Sequence, residues 1–125
     1  MGQNVLLIDD EEVFATLAAE QLTRRGFNVV VAASGEEALE KIKTQRPDVI
    51  LLDFLLPGIN GSEVLKRLKA DPRTHSIPVV ICSITLHERS AISAFMSQGA
   101  RDFVPKPCQP DALAAKLREI IGPKI

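Results

Sequence analysis

Five short, unbroken apolar runs, at residues 5–8, 29–32, 49–52, 79–82 and 103–104, are separated by longer segments whose apolar residues recur at helical spacing. A strand that is apolar throughout, rather than at every second residue, is one covered by helices on both faces. The alternation therefore predicts repeated βα units and a parallel sheet. At 125 residues the chain can bury one core and is too short for two of ordinary size, so residues 1–125 are expected to form a single domain. No linker, repeat or low-complexity tract interrupts it.

The intervening segments carry helix punctuation. In the first, Val13, Phe14, Leu17, Ala18 and Leu22 follow an i, i+3/i+4 pattern and Gly26 comes after, predicting a helix with one apolar stripe against the sheet. Ser34 with Glu37, Asn60 with Glu63 and Thr85 with Glu88 each fit a capping box, in which the first side chain satisfies an orphan amide and the acid reaches back. The second helix is expected to run to about Thr44 and the third to about Lys69. The fourth should bury Ile92 and Phe95 and stop at Gly99, and the fifth should run from Pro110 to Ile121, before Gly122-Pro123. Right-handed crossovers leave such a chain few topologies, of which the doubly wound (βα)5 order 2-1-3-4-5 is the commonest small one. Sites in these sheets lie outside the carboxyl ends of the strands, at the switch point between strands one and three.

Each run ends on a polar group that this topology would bring to one edge: Asp9 and Asp10 after the first, Asp53 after the third, Ser83 after the fourth and Lys106 after the last. Two unit charges ~4 Å apart repel by ~4 kcal/mol at an effective dielectric of 20, so three clustered carboxylates call for a cation among them. Oxygen-only ligation points to a hard ion, and Mg²⁺ is the usual one where a phosphate shares the shell. An Asp-Asp pair after a strand also reads as a helix cap. Asp53 does not, because no helix start follows it until Asn60. Lys106, fixed between Pro105 and Pro107, is suited as a point charge for a phosphate, and Ser83 draws its interest from position alone. A serine nucleophile needs a base, and the two histidines, His75 and His87, fall away from strand ends, where each reads as an exposed polar residue. A carboxylate attacks phosphorus without a base.

Composition removes other classes. Acids and bases nearly cancel, at a net charge of −1, and neither Trp nor Tyr is present, so direct nucleic-acid binding by this segment is not expected. No apolar stretch reaches the ~18 residues of a membrane span and no signal-peptide pattern opens the chain, which predicts a cytoplasmic protein without membrane insertion. Cys82 and Cys108 suit neither a disulfide framework nor a metal-ligand spacing, and Cys82 is expected in the core.

The residues 7–11 (Leu-Ile-Asp-Asp-Glu), 53–61 (Asp-Phe-Leu-Leu-Pro-Gly-Ile-Asn-Gly), Ser83, 99–103 (Gly-Ala-Arg-Asp-Phe) and Lys106-Pro107 together make the chain resemble, over essentially its whole length, the receiver domain of two-component response regulators. The 2-1-3-4-5 order is itself typical of that family. The resemblance implies that Asp53 accepts a phosphoryl group from a phosphohistidine on a sensor histidine kinase or histidine phosphotransfer protein. It implies Mg²⁺ held by Asp10, Asp53 and the backbone carbonyl of Leu55, with Asp9 acting largely through water. Lys106 and Ser83 would bind the phosphoryl oxygens, and Ser83 and Phe103 would form a switch that alters the face of helix four, strand five and helix five. An output domain or protein reads that face, and a phosphorylation-dependent homodimer is compatible with it. A receiver catalyses only its own phosphorylation and dephosphorylation.

Rival readings are a flavin mononucleotide carrier, disfavoured by the acidic loop after strand one and the lack of Trp and Tyr, and a Mg²⁺-dependent phosphatase, for whose leaving-group acid and substrate cap 125 residues without an insertion leave little room. A third is a degenerate receiver used only for binding, which the β-branched Ile84 keeps open, since the residue after the hydroxyl is usually small in the family. Ile84, with Leu55, is expected to modulate access to Asp53. Ile84→Ala should therefore speed phosphorylation by small donors or shorten the acyl-phosphate lifetime; identical labelling rates and half-lives in the two proteins would refute this.

Overall fold

The computed structural model describes residues 3–53, 56, 60–83, 89–106 and 108–122. Ten elements alternate along the chain: β1 (Gln3–Ile8), α1 (Glu12–Arg24), β2 (Phe27–Ala32), α2 (Gly35–Lys41), β3 (Val49–Asp53), α3 (Gly61–Ala70), β4 (Val79–Ser83), α4 (Arg89–Ser97), β5 (Asp102–Pro105) and α5 (Pro110–Ile121). The five strands form one parallel sheet in the order β2-β1-β3-β4-β5, as the sequence predicts.

Strand residues alternate between two buried layers. Leu6, Ile8, Ile50, Leu52, Val79 and Ile81 face one layer, where they meet Ala38 of α2, Leu65 of α3 and Phe95 of α4. Val5, Leu7, Val49, Leu51, Val80 and Cys82 face the other, against Ala15 and Leu22 of α1 and Leu113 and Leu117 of α5. Both strand faces are thus covered, which is why the runs carry no polar residue. Burial of each large aliphatic side chain contributes ~1.5–3 kcal/mol, so both layers stabilise the sheet between them.

Three local expectations change. The stripe on α1 is narrower than predicted: Ala15 and Leu22 are buried with Phe14 and Ala18 packed beside them, while Val13 and Leu17, four residues apart on the flank, are 75% and 55% exposed. Helix α2 ends at Lys41 rather than near Thr44, because the next amides bond three residues back, Lys43 to Glu40 and Thr44 to Lys41, in a tightened turn. The capping boxes are also partial. Ser34 and Asn60 accept from the amides of Glu37 and Glu63 as expected. Glu37, however, reaches the amide of Ala33 rather than that of the cap, and Glu63 pairs with Arg67. The Thr85–Glu88 box and the Ile92 side chain lie outside the described residues.

Helix α4 closes with Ala100 N donating to Phe95 O and Gly99 N to Met96 O, a Schellman cap that places Gly99 at φ +103°. A Cβ there would stand 3.0 Å from Cγ of Lys69, whose stem passes Gly99 to put Nζ on the carbonyls of His75 and Ile77. Gly26, after α1, has a similar φ of +94° but open space around it. Gly26→Ala should cost ~1–3 kcal/mol from backbone strain alone, and Gly99→Ala clearly more. Urea midpoints should rank them in that order; equal midpoints would show that Lys69 yields freely.

Candidate functional site

Three strand ends build one acidic pit. The β1–β2 ladder continues one step past Ile8, with Asp9 N donating to Ala32 O at 3.0 Å, so Asp9 is still held by the sheet and is only 2% exposed, while Asp10 turns outward to solvent. Asp53 ends β3, next to β1, and is 5% exposed. Oxygens of Asp9, Asp10 and Asp53 lie within 4.8 Å of one another, where each pair of like charges repels by ~3.5 kcal/mol at an effective dielectric of 20. All donors are carboxylate oxygens, the set that fits a hard divalent cation.

Lys106 enters this pit from the end of β5. Its Nζ donates to Asp9 Oδ2 at 2.8 Å and to Glu11 Oε1 at 2.5 Å, and it lies 3.5 Å from Asp53 Oδ2. The Phe14 ring centroid is 4.3 Å away. Burial alone would pull the ammonium pKa down. The bonds to Asp9 and Glu11, with the nearby Asp53 charge, outweigh it and hold the pKa above the ordinary lysine value, so Lys106 stays charged. Three carboxylates flank this one ammonium and Asp10 adds a fourth beside Asp9 and Asp53, so the site stays strongly negative.

The helix-cap reading of Asp9-Asp10 does not hold. Glu11 occupies the cap position of α1 without a side-chain cap bond, and Asp9 Oδ1 instead accepts the amide of Glu11 at 2.8 Å, fixing its own carboxylate. The strand register sets Asp53 opposite Cys82 and Ser83 opposite Pro105, so the backbone of Ser83 lies beside the residue preceding Lys106. The Ser83 side chain and all of Leu55, Ile84 and His87 lie outside the described residues. Phe103 is half-buried against the layer beneath α4, and His75 is exposed. Cys82 is a core residue whose thiol is pushed up to about 12, chiefly by burial.

Sequence reasoning missed two residues of the site, Glu11 and Phe14. Glu11 directly follows the paired acids, and Phe14 lies three residues on along the same helix, hence on the same face. The stripe pattern assigned Phe14 to the sheet, whereas its ring also reaches the lysine.

The profile of the response regulator receiver domain matches residues 5–118. The chain belongs to that family. It is 38% identical over 118 residues to the transcriptional regulatory protein AfsQ1 of Streptomyces coelicolor, covering 94% of this chain and 51% of that protein. It is 35% identical over 121 residues to the alkaline phosphatase synthesis transcriptional regulatory protein PhoP of Bacillus subtilis, covering 97% and 49%. This receiver thus spans about half the length of the curated relatives it matches. Its structure superposes on the receiver domain of a sensor histidine kinase from Pseudomonas aeruginosa PAO1 with a TM-score of 0.89 at 26% identity, covering 98% of this chain and 100% of that one. In that receiver a magnesium ion is coordinated in the active-site cleft. The family is that of two-component signalling switches, and the phosphorylation-switch role fits this chain. No helix among the described residues is long and apolar enough to cross a membrane.

Removing the cation should expose the cost of the pit. Lys106→Met leaves buried Asp9 and Asp53 without their shared partner and should destabilise the receiver by ~3–5 kcal/mol in denaturant melts. A loss below about 1 kcal/mol, the range of surface pairs, would show that the pit is solvated.

Proposed function

We propose that Asp53 is the phosphoryl acceptor of this receiver and that the pit around it performs the transfer. The observation that carries the reading is the placement of Asp53, nearly buried at the end of β3, between two further carboxylates and one lysine ammonium 3.5 Å away. An Asp53 oxygen forms a bond to phosphorus while the P–N bond of a partner's phosphohistidine breaks, its electron pair returning to the imidazole nitrogen. Such a transfer needs position and charge neutralisation more than covalent help from the protein. Lys106 supplies a fixed positive charge for the phosphoryl oxygens, and Ser83, at the end of the adjacent strand, is assigned the second contact to them.

Mg²⁺ is assigned to Asp10, Asp53 and the carbonyl of Leu55; when bound it neutralises the developing charge on the phosphoryl group. Asp9 has a bond on each of its oxygens, to Lys106 and to the Glu11 amide, which supports its expected contact through water rather than as a direct ligand. The receiver would then catalyse only its own phosphorylation and dephosphorylation. Ser83 and Phe103 form the proposed switch toward the face of α4, β5 and α5, which an output domain or protein reads, and through which a phosphorylated homodimer could form. The histidine-bearing partner, a kinase or phosphotransfer protein in the cytoplasm, is placed over α1. Exposed Leu17 there lines an apolar groove of about 190 Å³ between α1 and α5, exposed Val13 stands one turn before it, and Phe14 belongs to both that groove and the Lys106 contact.

Mass spectrometry after exposure to acetyl phosphate or phosphoramidate with Mg²⁺ tests the assignment. One phosphoryl group should be gained by the native chain and none by Asp53→Asn; labelling of both to the same extent would place the acceptor elsewhere.

A further inference from the structure

We propose that Glu11 is a positioning residue that competes with the phosphoryl group for Lys106, so that phosphorylation draws the lysine away from a Glu11 contact; this rests on Asp53 being the acceptor. An ammonium has three donors. Two are committed, to Asp9 at 2.8 Å and to Glu11 at 2.5 Å, and the ring of Phe14 faces the same cation from the same helix. The 3.5 Å separation from Asp53 exceeds the N–H···O range of about 2.7–3.2 Å. Lys106 therefore leans toward α1 and away from the residue that takes the phosphoryl group.

The two committed contacts differ in what their loss would involve. The Asp9 side chain is 1% exposed, and separating it from the lysine would strand a buried charge. The Glu11 side chain is 63% exposed and can turn to water, as solvent-exposed pairs do at little cost. When a phosphoryl group on Asp53 brings further negative charge and more acceptor oxygens, the Glu11 contact is the one that gives way. Its loss offsets part of the attraction between Lys106 and the phosphoryl oxygens, which makes Glu11 a built-in brake on the phosphorylated state. Glu12 provides the control. It is the next residue, exposed and acidic, and is not among the hydrogen-bond or ion-pair partners of Lys106, which among the described residues are Asp9, Glu11 and Asp53.

Beryllofluoride with Mg²⁺, which takes the tetrahedral shape of a phosphoryl group on a carboxylate, measures the competition without turnover. By titration calorimetry Glu11→Gln should bind it roughly threefold or more tightly than the native receiver, the scale of one exposed ion pair, while Glu12→Gln should bind like the native chain. In the metal-free protein, the side-chain NMR signals of Lys106 should shift in Glu11→Gln and those of Lys116, paired with Asp102, should not. Unchanged affinity in Glu11→Gln, or an equal gain in both variants, overturns the proposal, the latter by reducing it to general charge. If the native receiver takes up no beryllofluoride, or Asp53→Asn binds it equally well, the assignment of Asp53 fails instead. Both glutamates are exposed, so neither variant threatens the fold.

Discussion

One ammonium holds this site together. Asp9 and Asp53 are almost wholly withdrawn from water at the ends of neighbouring strands, and two carboxylates in that position would repel strongly without a positive partner. Lys106 answers both, from the end of β5 two strands beyond β3, with its stem buried and its charge maintained by the acids it serves. The interaction is reciprocal: the acids keep the lysine protonated, and the lysine's charge offsets the repulsion among the acids. A neutral pit of the same shape could neither hold a divalent ion nor present an anionic oxygen to phosphorus.

The sheet makes that meeting unavoidable. Parallel strands all end at the same edge, and crossing from β1 to β3 leaves no helix between Asp9 and Asp53. Layers of α2–α4 on one face and α1 with α5 on the other hold the strand ends at fixed depth. Asp9 is fixed further by donating its amide N–H to the Ala32 carbonyl and by its carboxylate accepting from the Glu11 amide, so that its carboxylate is oriented before any ligand arrives. Preorganisation of this kind removes the cost of orienting a charged group when a ligand binds.

Much of this was legible in the sequence, for identifiable reasons. Unbroken apolar runs betray strands buried on two faces, and the polar residues that end them mark the edge where ligands bind, so Asp9, Asp10, Asp53 and Lys106 could be brought together without coordinates. What sequence did not reveal depends on orientation around a helix. Val13 and Leu17 match the period of a buried stripe but sit on the flank of α1, because a helix against a sheet covers a narrower arc than its apolar residues span. Glu11 looks like one more acid in a run of four; only its position at the helix start, turned toward β5, shows that it shares the lysine. Glu63 fits a capping box by spacing, yet Arg67 lies four residues on, and the ion pair takes the carboxylate that the amide would have used.

Helix α1 thereby joins two surfaces that are otherwise separate. Its first turn carries Glu11 and Phe14 to the lysine, and its second carries Leu17 and Ala18 along the apolar groove against α5, where Phe14 also contributes. A rigid helix transmits small displacements along its length, because its side chains are packed and its backbone bonds are intact. Phe14 lies against the ammonium and also lines the groove, so the residue that helps pack α1 toward α5 borders the acidic pit as well.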